Sequence, residues 1–199
     1  MNRNLLPKIA ILIVMGMCTT FASCCVLAST VQTSRGKPVD LRDLLVDGSA
    51  FPEDWVTIEG PQPQDYEENR NSEEDLFVVL RTNPPHAGAR HEVYRYKNDL
   101  EALLLFYVTR AADFFSSEDR RSAWQAPSGW TYRSPLASEF EFACADFDYS
   151  GLSTKCVARA RYGEFVSIFD MSQPLGSVNL QDPERILQDI DARMEKNLK

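Results

Sequence analysis

The chain has 199 residues, 21 of them Lys or Arg and 29 Asp or Glu, which gives a formal net charge of −8. This length suits a single domain, and a hydrophobic content of 44% is enough to build a core. The excess of acidic residues argues against nucleic acid and anionic lipid headgroups as partners, because both require positive patches.

The chain begins with a basic segment followed by an apolar one. Arg3 and Lys8 precede an uncharged, strongly apolar run at residues 9–28. This order is typical of an export signal, and the run is also long enough to cross a bilayer as a helix. Because the two cations precede the run, the positive-inside rule places the rest of the chain outside the cytoplasm.

Three fates of this leader are open. It could remain as a single-pass hydrophobic helix, or it could be cleaved after Ala28, where the preceding residues are small or of modest size. The tetrapeptide Phe21-Ala22-Ser23-Cys24 resembles a bacterial lipobox, which implies a lipid on Cys24, although the lipobox normally has Leu where this chain has Phe21. The predicted location is therefore extracytoplasmic, either anchored to the membrane or secreted.

The remaining chain divides into a polar linker at residues 29–38 and one domain at residues 39–199. Residues 29–199 contain 19 basic and 29 acidic residues, a net charge of −10. In chain order, Asp40 is a cap for a short helix that reaches Val46. Strands are predicted near Val56–Glu59, at Leu76–Thr82 and at His91–Lys97, and the second of these is apolar enough to be covered on both faces.

A long central helix is predicted to begin after Asn98, which forms a capping box with Glu101. Apolar residues recur at helical spacing, which predicts a stripe that packs on the core. The members of this stripe are Leu100, Leu103, Leu104, Tyr107, Val108, Ala111, Phe114 and Phe115.

Two further elements follow towards the C-terminus. Trp130–Arg133 is a candidate short strand. Asp182 and Pro183 are the cap and first residue of a C-terminal helix. Its predicted buried stripe consists of Ile186, Leu187, Ile190, Met194 and Leu198.

The register of a C-terminal meander can be predicted from residues 139–171. A hairpin centred on Ser150 places Glu139 opposite Arg161 and Glu141 opposite Arg159 on one face. On the other face, Phe residues meet Ala residues and Cys144 meets Cys156. Facing opposite charges are worth about 0.2–1 kcal/mol per pair, and a slip of one residue would turn every side chain to the wrong face.

The next turn is predicted to be the two residues Tyr162-Gly163, because tight hairpins favour glycine at a position of positive φ. This choice sets Arg161 opposite Glu164, Cys156 opposite Phe169 and Lys155 opposite Asp170.

A disulfide is predicted between Cys144 and Cys156. The other three of the five cysteines lie in the leader, so these two form an even, facing pair in a domain expected to be in an oxidising compartment. The loop that this bond closes would contribute about 3 kcal/mol.

No catalytic, metal-binding or cofactor-binding constellation is predicted. The only histidines, His86 and His91, are read as surface or structural residues, and their odd spacing points to opposite faces of a strand. Trp124 and Trp130 bracket a Pro-Ser-Gly loop, where they either pin the loop to the core or line a pocket.

The segment Leu44-Leu45-Val46-Asp47-Gly48-Ser49-Ala50-Phe51-Pro52-Glu53-Asp54-Trp55, together with the order of the elements, resembles the extracytoplasmic sensor-like domains of actinobacterial receptor kinases and cell-wall lipoproteins. It is also similar to the wider PsbP-like α/β/α sandwich group. The resemblance implies a non-catalytic binding or sensing module. Export combined with the missing catalytic groups predicts a small ligand, a lipid or an envelope protein as its partner. An extracytoplasmic hydrolase using a carboxylate and a purely structural envelope protein are the alternatives. The predicted fold class is α+β.

Overall fold

The computed structural model describes residues 38–64, 71–83, 86–115, 117–148, 151–177 and 179–199. The predictions about the leader, including its helix, cleavage after Ala28 and lipidation of Cys24, concern residues outside these ranges. None of the helices within the ranges combines the length and apolar character needed to cross a bilayer.

A six-stranded antiparallel sheet forms the centre of the domain, which confirms the α+β class. The strands are β1 (Trp55–Gln62), β2 (Glu74–Thr82), β3 (Gly88–Arg95), β4 (Glu139–Asp148), β5 (Leu152–Tyr162) and β6 (Phe165–Pro174). Their order in the sheet is β1-β2-β3-β6-β5-β4, so β4 lies at one edge. The helices are α1 (Asp99–Val108), α2 (Arg110–Asp113) and α3 (Gln181–Leu198), and 3₁₀ turns at Leu41–Leu44 and Gly48–Ala50 precede the sheet.

Helical elements cover both faces of the sheet. On one face, α3 and the two 3₁₀ turns bury Ile186, Ile190 and Leu44 together with alternate residues of the strands. On the other face, α1 packs Ala102 and Phe106 against Val157 and Ile168. The predicted stripe of α3 is confirmed: its first four members are buried and Leu198 packs partly against the same core.

The central helix differs from the prediction in length and in its buried face. It is broken at Thr109, whose hydroxyl donates to the Leu105 carbonyl, and α2 follows as a separate short helix. The stripe predicted to pack on the core is wrong. Leu104 and Val108 are 62% and 64% exposed, and Leu100 and Tyr107 are also exposed. The helix has apolar residues on every side, so periodicity alone could not identify the face that packs.

We therefore expect Leu104→Gln to leave the free energy of unfolding within about 0.5 kcal/mol of wild type, because the side chain is already in solvent. Phe106→Leu on the buried face should cost about 1 kcal/mol or more. Urea denaturation of the full-length chain in detergent measures both. Equal costs for the two variants would show that the exposed face is covered in the folded protein.

The predicted register of the β4–β5 hairpin is confirmed, from Glu139 opposite Arg161 to Asp148 opposite Leu152. Cys144 and Cys156 face each other with their Cα atoms 4.0 Å apart and are joined by a disulfide.

The predicted register of the next hairpin is wrong by two residues. Tyr162 pairs with Phe165, so the turn consists of Gly163 and Glu164, and Arg161 faces Val166 rather than Glu164. Gly163 has φ +62°, which places glycine at the first central position, as a type II′ turn requires. Because the shift is an even number of residues, every side chain keeps the face that the sequence predicted.

Candidate functional site

Strand β4 is covered along only half of its outer edge. The segment 119–125 pairs with its C-terminal half: the Gln125 and Cys144 backbones exchange hydrogen bonds of 3.1 and 2.9 Å, and Arg121 N–H donates to the Asp146 carbonyl at 2.7 Å. After Gln125 the chain turns away, with Trp130 N–H donating to the Pro127 carbonyl at 3.1 Å.

The N-terminal half of this edge is left open. In an antiparallel strand the backbone groups of alternate residues point to the same side, so Phe140 and Phe142 direct their N–H and C=O groups outward, as Cys144 does. Among the residues that the structure describes, no hydrogen bond to these outward groups is formed. An edge of this kind can accept a further strand.

An open cavity of about 690 Å³ wraps around this bare edge. We call it the edge cavity. Its lining includes Arg110, Arg120, Trp124, Trp130, Tyr132, Arg133 and residues 140–143 of β4. The two tryptophans lie on opposite faces of the sheet, since Trp130 packs with the core beneath α3 and Trp124 with the core beneath α1.

Aromatic contacts fix the walls of the edge cavity. Trp130 stacks on Phe142 with ring centroids 4.0 Å apart, and the Tyr132 and Phe140 rings form a T-shaped pair with centroids 5.9 Å apart. On the opposite side, Trp124 packs on Phe114 at 5.4 Å and donates its indole N–H to the Phe115 carbonyl at 2.9 Å. The predicted short strand at Trp130–Arg133 is not formed, because this segment packs through its side chains instead of joining the sheet.

A buried carboxylate holds the Trp130 wall in place. Asp191 of α3 accepts hydrogen bonds from Tyr132 at 2.5 Å, from Ser134 at 2.7 Å and from Tyr162 at 2.6 Å. Burial, and then the hydrogen bond to Asp191, raise the pKa of both tyrosines well above the usual value, so they remain protonated donors. The helix α3 thus positions one side of the edge cavity.

The cavity carries more positive than negative charge. Arg110 contacts Glu141 at 2.9 Å, and this pair is the only one between charged residues of the lining within the described ranges. The side chains of Arg120 and Arg133 form no ion pair or hydrogen bond with other described residues. Free guanidinium groups beside aromatic rings are suited to binding carboxylates.

Behind Glu141 lies a buried ion pair. The side chain of Arg159 has no exposed surface, and its Nε lies 2.6 Å from Asp113 Oδ2, while its Nη1 lies 3.5 Å from Glu141 Oε2. Arg159 also donates to Thr109 Oγ1 at 3.0 Å and to the Phe106 carbonyl. This network joins the break between α1 and α2 to the floor of the edge cavity.

The histidines lie away from the edge cavity. His91 is fully buried: Val46 N–H donates to its Nδ1 at 3.1 Å, so its proton is on Nε2, which donates to Ser167 Oγ at 2.9 Å. Burial lowers the pKa of His91 to about 3. His86 is exposed at the other end of the sheet, next to the β2–β3 turn. The reading of both as structural or surface residues agrees with these positions.

The edge cavity brings together both predicted pocket candidates, Trp124 and Trp130, with three arginines that the sequence analysis did not select. Whether they bind a ligand remains a prediction. The arginines had no local signal because they come from three separate segments of the chain. No group of three or more metal-ligating side chains occurs in the part of the chain described here. Asp170, whose pKa is raised by burial, is not part of the cavity lining.

The fold is an α+β sandwich in which helices cover both faces of an antiparallel sheet. Half of the edge strand β4 is left open, and the arginines of the edge cavity lie beside it. No family model matches the chain, and no curated protein matches it. Among solved structures, the extracellular domain of PknH from Mycobacterium tuberculosis is similar, with a TM-score of 0.50 and 7% identity over 80% of this chain and 98% of that one.

A protein from Bacteroides thetaiotaomicron aligns with a TM-score of 0.36 and 10% identity over 72% of this chain and 45% of that one, which is too distant to support an argument. The similarity to the PknH domain shows a shared fold. It agrees with the first of the two resemblances drawn from the sequence, whereas the comparisons contain nothing that bears on the PsbP-like group.

Proposed function

We propose that this protein is a non-catalytic binding module of the cell envelope, held on the outer side of a membrane by its N-terminal segment, and that it binds carboxylate-bearing ligands in the edge cavity. The observation that carries the proposal is the pair of guanidinium groups, Arg120 and Arg133, that face an aromatic cavity and lack partners among the described residues. They do so on a chain whose net charge is −8.

The disulfide and the leader support the proposed location outside the cytoplasm. A disulfide between Cys144 and Cys156 fits an oxidising compartment, and the basic-then-apolar leader fits export. The PknH domain of similar fold is extracellular, which supports the same setting by analogy of fold alone.

In the described part of the chain, only one carboxylate of the cavity lining, that of Glu141, would compete with a ligand carboxylate for the arginines. Glu141 already neutralises Arg110, and at 28% exposure its side chain stays close to the floor of the cavity. Arg120 and Arg133 are left to bind an incoming anion, and the ring of one of the two tryptophans would lie beside its apolar part. Charge-assisted hydrogen bonds of this type each contribute about 1.5–3 kcal/mol.

We therefore expect N-acetylglutamate methylamide to bind the full-length chain in detergent about tenfold more tightly than its uncharged glutamine counterpart. Tryptophan fluorescence reports the titration because two tryptophans line the cavity. The double variant Arg120→Gln/Arg133→Gln should abolish this preference for charge.

Arg121→Gln provides the matched control. This neighbouring arginine is exposed and pairs with Asp148 at 3.1 Å, and it does not line the cavity. The proposal is wrong if the two ligands bind equally to wild type, or if Arg121→Gln weakens binding as much as the double variant does.

A further inference from the structure

The bare half of β4 and the edge cavity together suggest the form of the ligand, on the basis of the function proposed above. We propose that the ligand is an extended peptide segment of another protein, that it adds to the sheet as a seventh strand beside Phe140 and Phe142, and that it carries an acidic side chain into the edge cavity.

The bare half of β4 offers backbone hydrogen bonds to a further strand. Two outward N–H and C=O pairs, on Phe140 and Phe142, continue the ladder that Cys144 and Asp146 complete with the segment 119–125. An incoming strand in line with that segment would meet hydrogen-bonding groups already held in place by β5. Peptide recognition by strand addition obtains its affinity from main-chain bonds of this kind.

The walls of the edge cavity lie on both faces of the sheet. Side chains of an added strand would alternate between the two faces of the sheet. One set would meet Trp130 and Tyr132, and the other would meet Trp124 and Arg120, which pairs opposite Phe147 on the Trp124 face. The cavity therefore offers aromatic contacts to one set of side chains and both aromatic and cationic contacts to the other. Only an extended chain has side chains that reach both faces of the sheet, so it fits these contacts better than a compact small molecule.

The charge of the edge cavity favours an acidic segment. A second copy of this β4 edge would bring Glu139 and Glu141, but the Glu139 carboxylate already accepts from the Tyr107 hydroxyl at 2.9 Å and Glu141 is already paired with Arg110. The free guanidinium groups of Arg120 and Arg133 favour a partner segment that carries a carboxylate. An acidic peptide is thus the occupant that fits both the edge and the cavity.

A pair of variants at one position tests the backbone bonds. Phe140→Pro removes the outward N–H, which makes no bond within the described sheet, and proline is tolerated on an edge strand in this orientation. Phe140→Ala is its matched control, because it loses the same side chain but keeps the N–H. The probe is an acetylated, amidated heptapeptide of alternating valine and threonine with a central glutamate, and isothermal titration calorimetry measures its binding to the full-length chain.

We expect Phe140→Pro to bind the peptide about fivefold more weakly than Phe140→Ala, as the loss of one hydrogen bond predicts. Two N-methylated forms of the peptide are then compared on wild type, one methylated on the amides of the glutamate and threonines and one on those of the valines. They should bind unequally, because only one of these sets of amides faces β4. The amide protons of Phe140 and Phe142 should gain protection from hydrogen exchange on binding.

The outcomes separate this inference from the proposed function. If the two methylated peptides bind equally and the two Phe140 variants do not differ, strand addition is wrong. Binding of N-acetylglutamate methylamide would then still support carboxylate capture. If neither the peptide nor this small ligand prefers charge, both proposals fail. Dimerisation of the free protein that is lost in Phe140→Pro but kept in Phe140→Ala would show that a second copy occupies the edge, and it would also overturn the inference.

Discussion

Asp113→Ala is expected to lower the free energy of unfolding by about 3–5 kcal/mol, because it leaves the buried Arg159 guanidinium without its nearest carboxylate. Arg159 has no exposed surface and lies 2.6 Å from Asp113. Its ring contact with Phe106, at 4.4 Å, and its hydrogen bond to Thr109 fix the side chain, so the charge cannot move out to water. Urea denaturation of the full-length chain in detergent measures the loss.

The double variant Asp113→Ala/Arg159→Met separates the ion pair from simple loss of packing. Replacing the cation by an apolar side chain of similar length should recover more than half of the loss, since a buried pair can often be exchanged for apolar residues at little cost. Glu141→Gln is the matched control. Glu141 lies further from Arg159, at 3.5 Å, and is partly exposed, so its replacement should cost less than about 1 kcal/mol.

Simple additivity of the Asp113 and Arg159 substitutions would contradict this account. A coupling below about 0.5 kcal/mol is what independent sites show, and it would mean that the two charges do not interact in the folded protein.

The hairpin β4–β5 could be predicted in full because two patterns selected the same register. Glu139 and Glu141 require Arg161 and Arg159 on one face, and Cys144 requires Cys156 on the other. The following turn was misplaced because Tyr162-Gly163 and Gly163-Glu164 both give glycine a position of positive φ. Only the backbone distinguishes a glycine at the first central position from one at the second.

The buried face of α1 could not be predicted because the helix is apolar on every side. Leu100 and Leu104 are spaced as regularly as Ala102 and Phe106. Which pair is buried depends on the side chains of β5 and β6 that the helix packs against. In α3, by contrast, polar residues separate the apolar ones, so a single stripe was visible and was correct.

The edge cavity was only partly predictable. Trp124 and Trp130 could be selected because tryptophan is rare and large, but Arg110, Arg120 and Arg133 come from three separate segments. They meet only because the chain leaves β4 after Gln125, and the Pro127-Ser128-Gly129 turn that follows does not show which strand the preceding segment pairs with. Sites formed where a loop departs from a strand depend on tertiary packing, which explains why sequence reasoning missed the charged half.

Acid should destabilise the protein through His91. Its pKa is about 3 in the folded chain, where burial disfavours the cation, against about 6.5 when unfolded. Between these values the unfolded chain binds a proton that the folded chain does not. Stability from the neutral imidazole is therefore complete above pH 6.5 and decreases as the pH falls towards 3.

We expect the free energy of unfolding to fall by about 2–3 kcal/mol between pH 6.5 and pH 4.5 through this residue, at about 1.4 kcal/mol per pH unit. His91→Gln keeps an acceptor for Val46 N–H and a donor for Ser167, so it should be less stable at neutral pH but should lose most of this slope. His86→Gln, at an exposed position, is the matched control and should retain the slope. If wild type and His91→Gln showed the same dependence of unfolding free energy on pH in urea denaturation, protonation of the buried imidazole would not be the cause of the loss in acid.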